Sequence, residues 1–306
     1  MNENRFSRSP FSCMINMKKR TGFVCGDKMK RKETAYIKEK KWLAEGIVSM
    51  RLSVSFAALV KAGQFVSLFV RDTARLLPRP ISIADADAEA GTIRLVFRVA
   101  GEGTRQIAAM EEGEALEVLG PLGNGFPLAA AAGKTVILAA GGIGIPPMLL
   151  TAKQLLCTTG ARPRWCTPAL CVHADGWRNE ETFLLDDLRE TGNVLIATDD
   201  GSVGVHGTVI DALTKWENEC TTGARPLWCN AVIFACGPKP MLRALKEFAA
   251  ERDVPLYVSM EERMACGVGV CLGCVTKTAG VDDHSKVCNA RVCTDGPVFD
   301  ARDVVL

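Results

Sequence analysis

The sequence predicts a multi-domain chain: an antiparallel β-barrel, then a parallel-sheet α/β domain, then a small cysteine-rich terminal domain. Three observations predict it. Short β-rich runs separated by Gly, Asp and Pro fill residues 34–128, the pattern of an antiparallel barrel or sandwich. After Gly133, apolar runs alternate with helical stretches, the rhythm of a parallel sheet covered on both faces. Five of the 13 cysteines then crowd into the segment from Cys266 to the C-terminus. A length of 306 residues leaves room for about two domains, or three if one is small.

Taken in chain order, residues 1–32 carry nine basic and two acidic residues with no apolar period, which reads as a disordered basic arm. The regular pattern begins only near Thr34, so Met17 or Met29 competes with Met1 as the start. The barrel runs are Gly46 to Ser55, Gln64 to Val70, Pro80 to Ala84, Thr92 to Val99 and Ala115 to Leu119, with one helical piece at Thr104 to Met110. In the second half, strands are expected at Val136 to Ala140, Ala169 to Val172, Val194 to Ala197 and Ala231 to Ala235. Helices are expected at Pro147 to Leu156, Glu180 to Glu190, Val209 to Trp216 and Pro240 to Glu251. Residues 157–166 and 220–229 echo one another as Cys-Thr-Thr-Gly-Ala-Arg-Pro-x-Trp-Cys. A ten-residue copy is too short for a solenoid unit and falls in surface connections, where insertions settle silently.

Composition narrows the function classes. Thirty-seven basic against 35 acidic residues leave a net charge of +2, too weak a field to indicate nucleic acid or a membrane surface as partner. The uncharged stretch Thr135 to Ala152 is interrupted by Gly141-Gly142-Ile143-Gly144-Ile145-Pro146-Pro147, which no spanning helix tolerates at its centre. An odd cysteine count without a secretory signal points to a reduced, cytoplasmic setting in which grouped cysteines bind metal.

The strongest local signal is Cys266-Gly267-Val268-Gly269-Val270-Cys271-Leu272-Gly273-Cys274, the C-x4-C-x2-C spacing of plant-type two-iron clusters. Three thiolates within nine residues must wrap one side of a cluster, and the interspersed glycines let the backbone fold tightly and aim N–H groups at sulfur. The fourth ligand is Cys288 or Cys293. A structural zinc site from four of the five thiolates is the alternative, but zinc ribbons favour two matched short pairs.

Arg79-Pro80-Ile81-Ser82, followed by Gly101-Glu102-Gly103-Thr104 at a helix start, supplies the arginine and free N–H groups that a flavin dinucleotide pyrophosphate requires. Each motif is weak alone; their shared placement on a barrel strengthens both. Ala140-Gly141-Gly142-Ile143-Gly144 lies between an apolar strand and a helix opened by proline, and Cys236-Gly237-Pro238 ends the last strand of the same sheet. Ligands bind at such carboxyl ends, so Cys236 is placed where a nicotinamide would face a flavin. Asp175 suits a ribose hydroxyl and Arg178 a 2′-phosphate, leaving NAD and NADP both open. His173, His206 and His284 do not cluster, and no Ser-His-Asp set or carboxylate pair stands out.

This order of motifs resembles the ferredoxin-NADP reductase superfamily. The segments Glu261 to Cys274 and Arg291 to Phe299, with Gly120-Pro121-Leu122-Gly123-Asn124-Gly125-Phe126 at the domain junction, resemble within it the electron-transfer subunits of B-type dihydroorotate dehydrogenase, over about Thr34 to Leu306. The resemblance implies Cys293 as fourth ligand of a 2Fe-2S cluster with Cys266, Cys271 and Cys274, leaving Cys288 spare. It implies FAD held by Arg79, Pro80, Ile81, Ser82, Gly103 and Thr104, with Val96, Phe97 and Arg98 lining the site. NAD is then expected at Gly141, Gly142, Gly144, Cys236, Gly237 and Pro238.

The corresponding units are a basic extension (1–33), a FAD-binding barrel (34–128), an NAD-binding α/β domain (129–250) and a 2Fe-2S domain (251–306). The implied activity takes electrons from the FMN of a dihydroorotate-oxidising subunit, in a heterotetramer of two chains of each kind, to NAD+ in pyrimidine (UMP) synthesis. A cluster passes single electrons and nicotinamide accepts a hydride, so a flavin between them is chemically required. Two alternatives remain at this stage: an NAD(P)H-dependent reductase feeding a ferredoxin, oxygenase or hydrogenase, and a non-catalytic metal-binding interaction protein.

Overall fold

Strand pairing closes the first half of the chain on itself. The computed structural model describes residues 30–70, 76–159, 169–173, 183–220, 227–281 and 286–306. Strands β1 (Arg31–Ala44), β2 (Ile47–Ser53), β3 (Phe65–Phe69), β4 (Arg79–Asp87) and β5 (Thr92–Arg98), then helix α1 (Glu102–Ala109) and strand β6 (Ala115–Leu122), form this half. The six strands make a closed antiparallel barrel in the order β1-β2-β5-β4-β3-β6. Alternate residues point inward, so Met50, Leu52, Val66, Leu68, Ile93 and Leu95 fill the interior.

β1 is absent from the strands expected above, and it corrects the first boundary. Arg31, Lys32 and Glu33, assigned to the basic extension, pair with Gly120, Leu119 and Val118 of β6. The strand is charged, and Ala35 and Ile37 are its buried residues. Pairing with β2 on one side and β6 on the other satisfies its backbone, and this long-range gain overrides a local composition rich in Lys and Glu.

The second half runs β7 (Thr135–Gly141), α2 (Ile145–Thr159), β8 (Ala169–His173), α3 (Leu185–Arg189), β9 (Val194–Thr198), β10 (Val205–His206), α4 (Val209–Cys220), β11 (Ala231–Cys236), α5 (Lys239–Glu251) and β12 (Leu256–Ser259). A short hairpin, β13 (Val275–Lys277) with β14 (Asn289–Arg291), and strand β15 (Val298–Asp300) follow. The sheet order is β10-β9-β8-β7-β11-β12-β15, parallel except for β15. Leu138, Ala140, Val232 and Phe234 face α2 and α3, while Ile137, Ala139, Ile233 and Ala235 face α4 and α5. Both faces are therefore covered, as the apolar runs predict.

The last boundary also changes. β12 and β15 both come from the expected terminal domain, yet they complete the nucleotide-type sheet. The cysteine segment is thus an excursion between two strands of that sheet. Strands of four and three residues show no period by which a sequence could assign them.

Barrel and sheet are joined by polar contacts. Lys153 of α2 donates to Asp85 at 2.8 Å, Gln154 bonds Val60 and Ala62, and Arg94 forks onto Asp187 of α3 at 3.0 and 3.1 Å. Asp175, Arg178, His284, the 1–29 arm with its alternative starts, and most of the two echoed segments lie outside the described residues. No helix among the described residues is long and apolar enough to cross a membrane.

Candidate functional site

A cavity of about 350 Å³ opens where the barrel meets the carboxyl ends of β7, β11 and β12. Pro80, Ile81 and Ser82 of β4 and Val96, Phe97 and Arg98 of β5 form its barrel wall. Ile143 follows β7, Ser259 ends β12 with Met260 after it, and Glu261, Glu262, Met264 and Pro297 come from the excursion. A cavity lined mainly by apolar side chains with a few polar groups fits an aromatic ring system.

Arg79, Gly103 and Thr104 stand apart from that wall, at the start of α1. Thr104 Oγ1 accepts the backbone N–H groups of Ala100 and Gly101 at 3.0 and 3.1 Å, fixing the turn into the helix. The Arg79 guanidinium lies against Gly103, where an added Cβ would meet Nε at 2.2 Å. A further bond from Arg79 Nη1 to the Leu77 carbonyl, 2.7 Å, holds it there. A guanidinium set beside helix-start N–H groups fits a pyrophosphate.

On the sheet side the two glycine motifs interlock. Gly142 takes a φ of +52°, and Gly144 lies on the backbone of Cys236. Pro238 caps α5, and Gly141 and Gly237 both pack on Met241. Cys236 does not line the cavity: it is buried, and its thiol bonds Ser259, which does. Burial first, and the nearby Glu261 charge second, push that thiol well above its usual range. It is therefore a neutral group. Sequence reasoning assigned no role to Glu261, which lies five residues before Cys266. Glu261 lines the cavity, where desolvation raises its pKa while Arg98 partly offsets the rise.

The four cysteines of the cluster expectation fall into two pairs. Cys266 Sγ accepts backbone N–H groups from Val268, Val270 and Cys271, each at 3.4 Å, and bonds the Cys271 thiol. Burial opposes ionisation there, but the converging donors win and bring the Cys266 pKa to about 6. The β13–β14 hairpin sets Cys274 beside Cys293, whose N–H reaches Cys274 Sγ at 3.4 Å. Burial and the Cys274 sulfur push Cys293 up to about 12. Cys288 is exposed, at the other end of the hairpin, where its carbonyl accepts from Thr278. Among the described residues no three His, Cys, Asp or Glu side chains gather about one point. Two separate thiol pairs match what two irons need, whereas a zinc ion takes four ligands around one centre.

The junction motif docks this excursion onto the barrel. Asn124 donates to the carbonyls of Asp295 and Val298 at 2.9 and 2.7 Å, and its Oδ1 accepts the Val298 N–H at 2.9 Å. Arg291 and Asp295 pair at 3.0 Å across the turn that carries Cys293. Three bonds at about 1 kcal/mol each predict that Asn124→Ala costs about 2–3 kcal/mol. Chemical denaturation read by tryptophan fluorescence measures it, and a loss under 1 kcal/mol contradicts the docking role.

Residues 261–305 match the family described as the iron-sulfur cluster binding domain of dihydroorotate dehydrogenase B. The chain is 39% identical over 279 residues to the dihydroorotate dehydrogenase B (NAD(+)) electron transfer subunit of Bacillus caldolyticus, covering 90% of this chain and 99% of that one. The Bacillus velezensis subunit of the same name is 40% identical over 251 residues, covering 81% of this chain and 88% of its own length. Among solved structures, a chain of the NADH-dependent reduced ferredoxin-NADP oxidoreductase superposes with a TM-score of 0.73 at 25% identity, over 89% of each chain.

Proposed function

The chain belongs to the family of dihydroorotate dehydrogenase B electron transfer subunits, and from that premise we propose that it carries electrons from the FMN of a dihydroorotate-oxidising subunit to NAD+ in pyrimidine biosynthesis. The observation that carries this reading is the direct packing of the cysteine loop on the barrel strand that borders the cavity: Gly267 lies against Ser67 and Leu122, and the neighbouring Phe65 lines the cavity wall.

In this proposal Cys266, Cys271, Cys274 and Cys293 hold the 2Fe-2S cluster. FAD occupies the barrel cleft with Arg79, Pro80, Ile81, Ser82, Val96, Phe97, Arg98, Gly103 and Thr104. NAD binds across Gly141, Gly142, Gly144, Gly237 and Pro238, with the buried Cys236 packed behind Gly144. Bound together, these groups connect a one-electron carrier to a two-electron acceptor through a flavin able to handle both. The protein's own contribution is placement. Arg79 and the α1 N-terminus neutralise phosphate charge, and the N–H groups around Cys266 favour its thiolate. The buried Cys236 stays neutral and serves as packing beside Ser259.

The partner is the FMN-containing catalytic subunit, in a complex of two chains of each kind. Val270 and Leu272, on the cysteine loop, are 80% and 61% exposed, an apolar pair suited to a protein interface. Val270→Asp is expected to weaken association about tenfold or more while leaving iron and sulfide content unchanged; sedimentation of the mixed subunits tests it, and unaltered assembly counts against this surface. Every cysteine whose side chain is described is a free thiol, which suits a reduced cytoplasm. The decisive experiment is co-expression with a dihydroorotate-oxidising subunit, followed by dihydroorotate-dependent NAD+ reduction. A complex that forms yet reduces no NAD+ refutes the proposal.

A further inference from the structure

Ser67 carries a group that the proposed reaction leaves unused. Its Oγ is the one buried side-chain N or O atom among the described residues without a hydrogen-bond partner, in a residue only 1% exposed. Along β3 the alternation is clear: Val66 and Leu68 fill the barrel, while Phe65 and Ser67 face the other way. What covers Ser67 is the cysteine loop. A Cβ on Gly267 would lie 2.9 Å from Ser67 Oγ and 3.4 Å from Leu122 Cδ1. Gly267 directly follows Cys266, the thiol on which three backbone N–H groups already converge. On its other side, Ser67 is paired across the ladder with Pro80, and Pro80 and Phe65 both line the cavity.

A buried hydroxyl left without a partner gives up its bonds to water and gains none in return, and native proteins seldom keep one without a reason. The surroundings offer a reason. The loop above Ser67 is where the proposed cluster presents sulfur, an acceptor that becomes more negative on reduction. We propose that Ser67 is a positioning residue whose hydroxyl donates to sulfur on the Cys266 side of the 2Fe-2S cluster, so raising the cluster's reduction potential. This rests on the assignment of the four cysteine ligands above. Donors to sulfur stabilise the more negative state, which makes the reduced cluster easier to form.

The test is a redox titration of the purified complex, with the reduced cluster followed by electron paramagnetic resonance and the flavins by absorbance. In Ser67→Ala the cluster's one-electron reduction equilibrium is expected to shift about tenfold against the reduced form, equivalent to about 59 mV. Flavin potentials and iron and sulfide content stay as in the parent. An unmoved cluster potential at full iron content overturns the inference. Where the alanine variant loads no cluster, Ser67→Thr and Ser67→Val make the comparison, because they share a shape and differ in the hydroxyl. Higher potential or better loading in the threonine variant sustains the inference, and equal behaviour of the pair overturns it. Parent protein lacking iron and sulfide altogether would instead refute the ligand assignment, and the inference with it.

Discussion

Cys271→Ser is expected to abolish dihydroorotate-dependent NAD+ reduction while sparing most direct electron transfer from NADH to an artificial dye. Cys271 is paired with Cys266 through its thiol, accepts the Gly273 N–H at 3.4 Å and is exposed at the surface. Serine keeps the size but replaces a soft thiolate with a poorly ionised hydroxyl. Loss of a residue that only supports a ligand commonly costs about 10–100-fold, so loss of a ligand should cost about a hundredfold or more. The groups assigned to FAD and NAD lie elsewhere: Arg79 starts β4 with its guanidinium against Gly103 of α1, and Gly144 packs against the end of β11. Flavin content and the NADH-to-dye rate should therefore stay near those of the parent. Coupled turnover that survives in Cys271→Ser would mean that the cysteine loop is not on the electron route, whatever it binds.

That separation of effects was legible in the sequence because local chemistry dictated it. Three cysteines at fixed spacing with glycines between them can do little else than wrap a metal group, and the similarity to the iron-sulfur cluster binding domain over 261–305 falls on the same segment. Arg79-Pro80-Ile81-Ser82 was legible only jointly with the helix start at Gly103-Thr104, since the guanidinium and that glycine meet through tertiary packing. Which of Cys288 and Cys293 lies beside Cys274 depends on the register of the β13–β14 hairpin, in which Val275 lies opposite Arg291. Spacing alone contains no register.

Other features were hidden because they arise from distant contacts. β1 has the composition of a solvated helix face, and only its two ladders make it a strand. β12 and β15 pair Ser259 with Val298 across the whole cysteine excursion. Glu261 reads in sequence as one acid beside another, but folding places both in the cavity wall, pairing Glu262 with Lys239 and setting Glu261 near Arg98. Ser67 looks like any polar residue in an alternating strand until the cysteine loop closes over it. In each case the missing information is which surface covers the residue.

Two glycine substitutions should separate binding from folding. At Gly144 an added Cβ would meet the Cys236 carbonyl oxygen at 2.2 Å, its carbon at 2.5 Å and the Gly237 nitrogen at 2.8 Å. All three are backbone atoms at the end of β11, whose ladder to β7 pairs Cys236 with Ala140. Neither strand can move aside without opening the centre of the sheet. Gly144→Ala is therefore expected to cost about 3 kcal/mol or more, a fall of roughly 6–12 °C in Tm, together with loss of NADH oxidation. At Gly103 the same methyl would also meet atoms at 2.2 to 2.5 Å, but they belong to the Arg79 guanidinium, the free end of a flexible side chain. Arg79 can swing out, so Gly103→Ala should keep its Tm near that of the parent and lose affinity for FAD by about tenfold or more, the value of a charge-assisted bond to phosphate. Calorimetry and flavin titration measure the two quantities independently. A Gly144→Ala protein that melts with the parent, or a Gly103→Ala protein that holds FAD as tightly, would break the distinction between a backbone wall and a movable side chain on which both expectations depend.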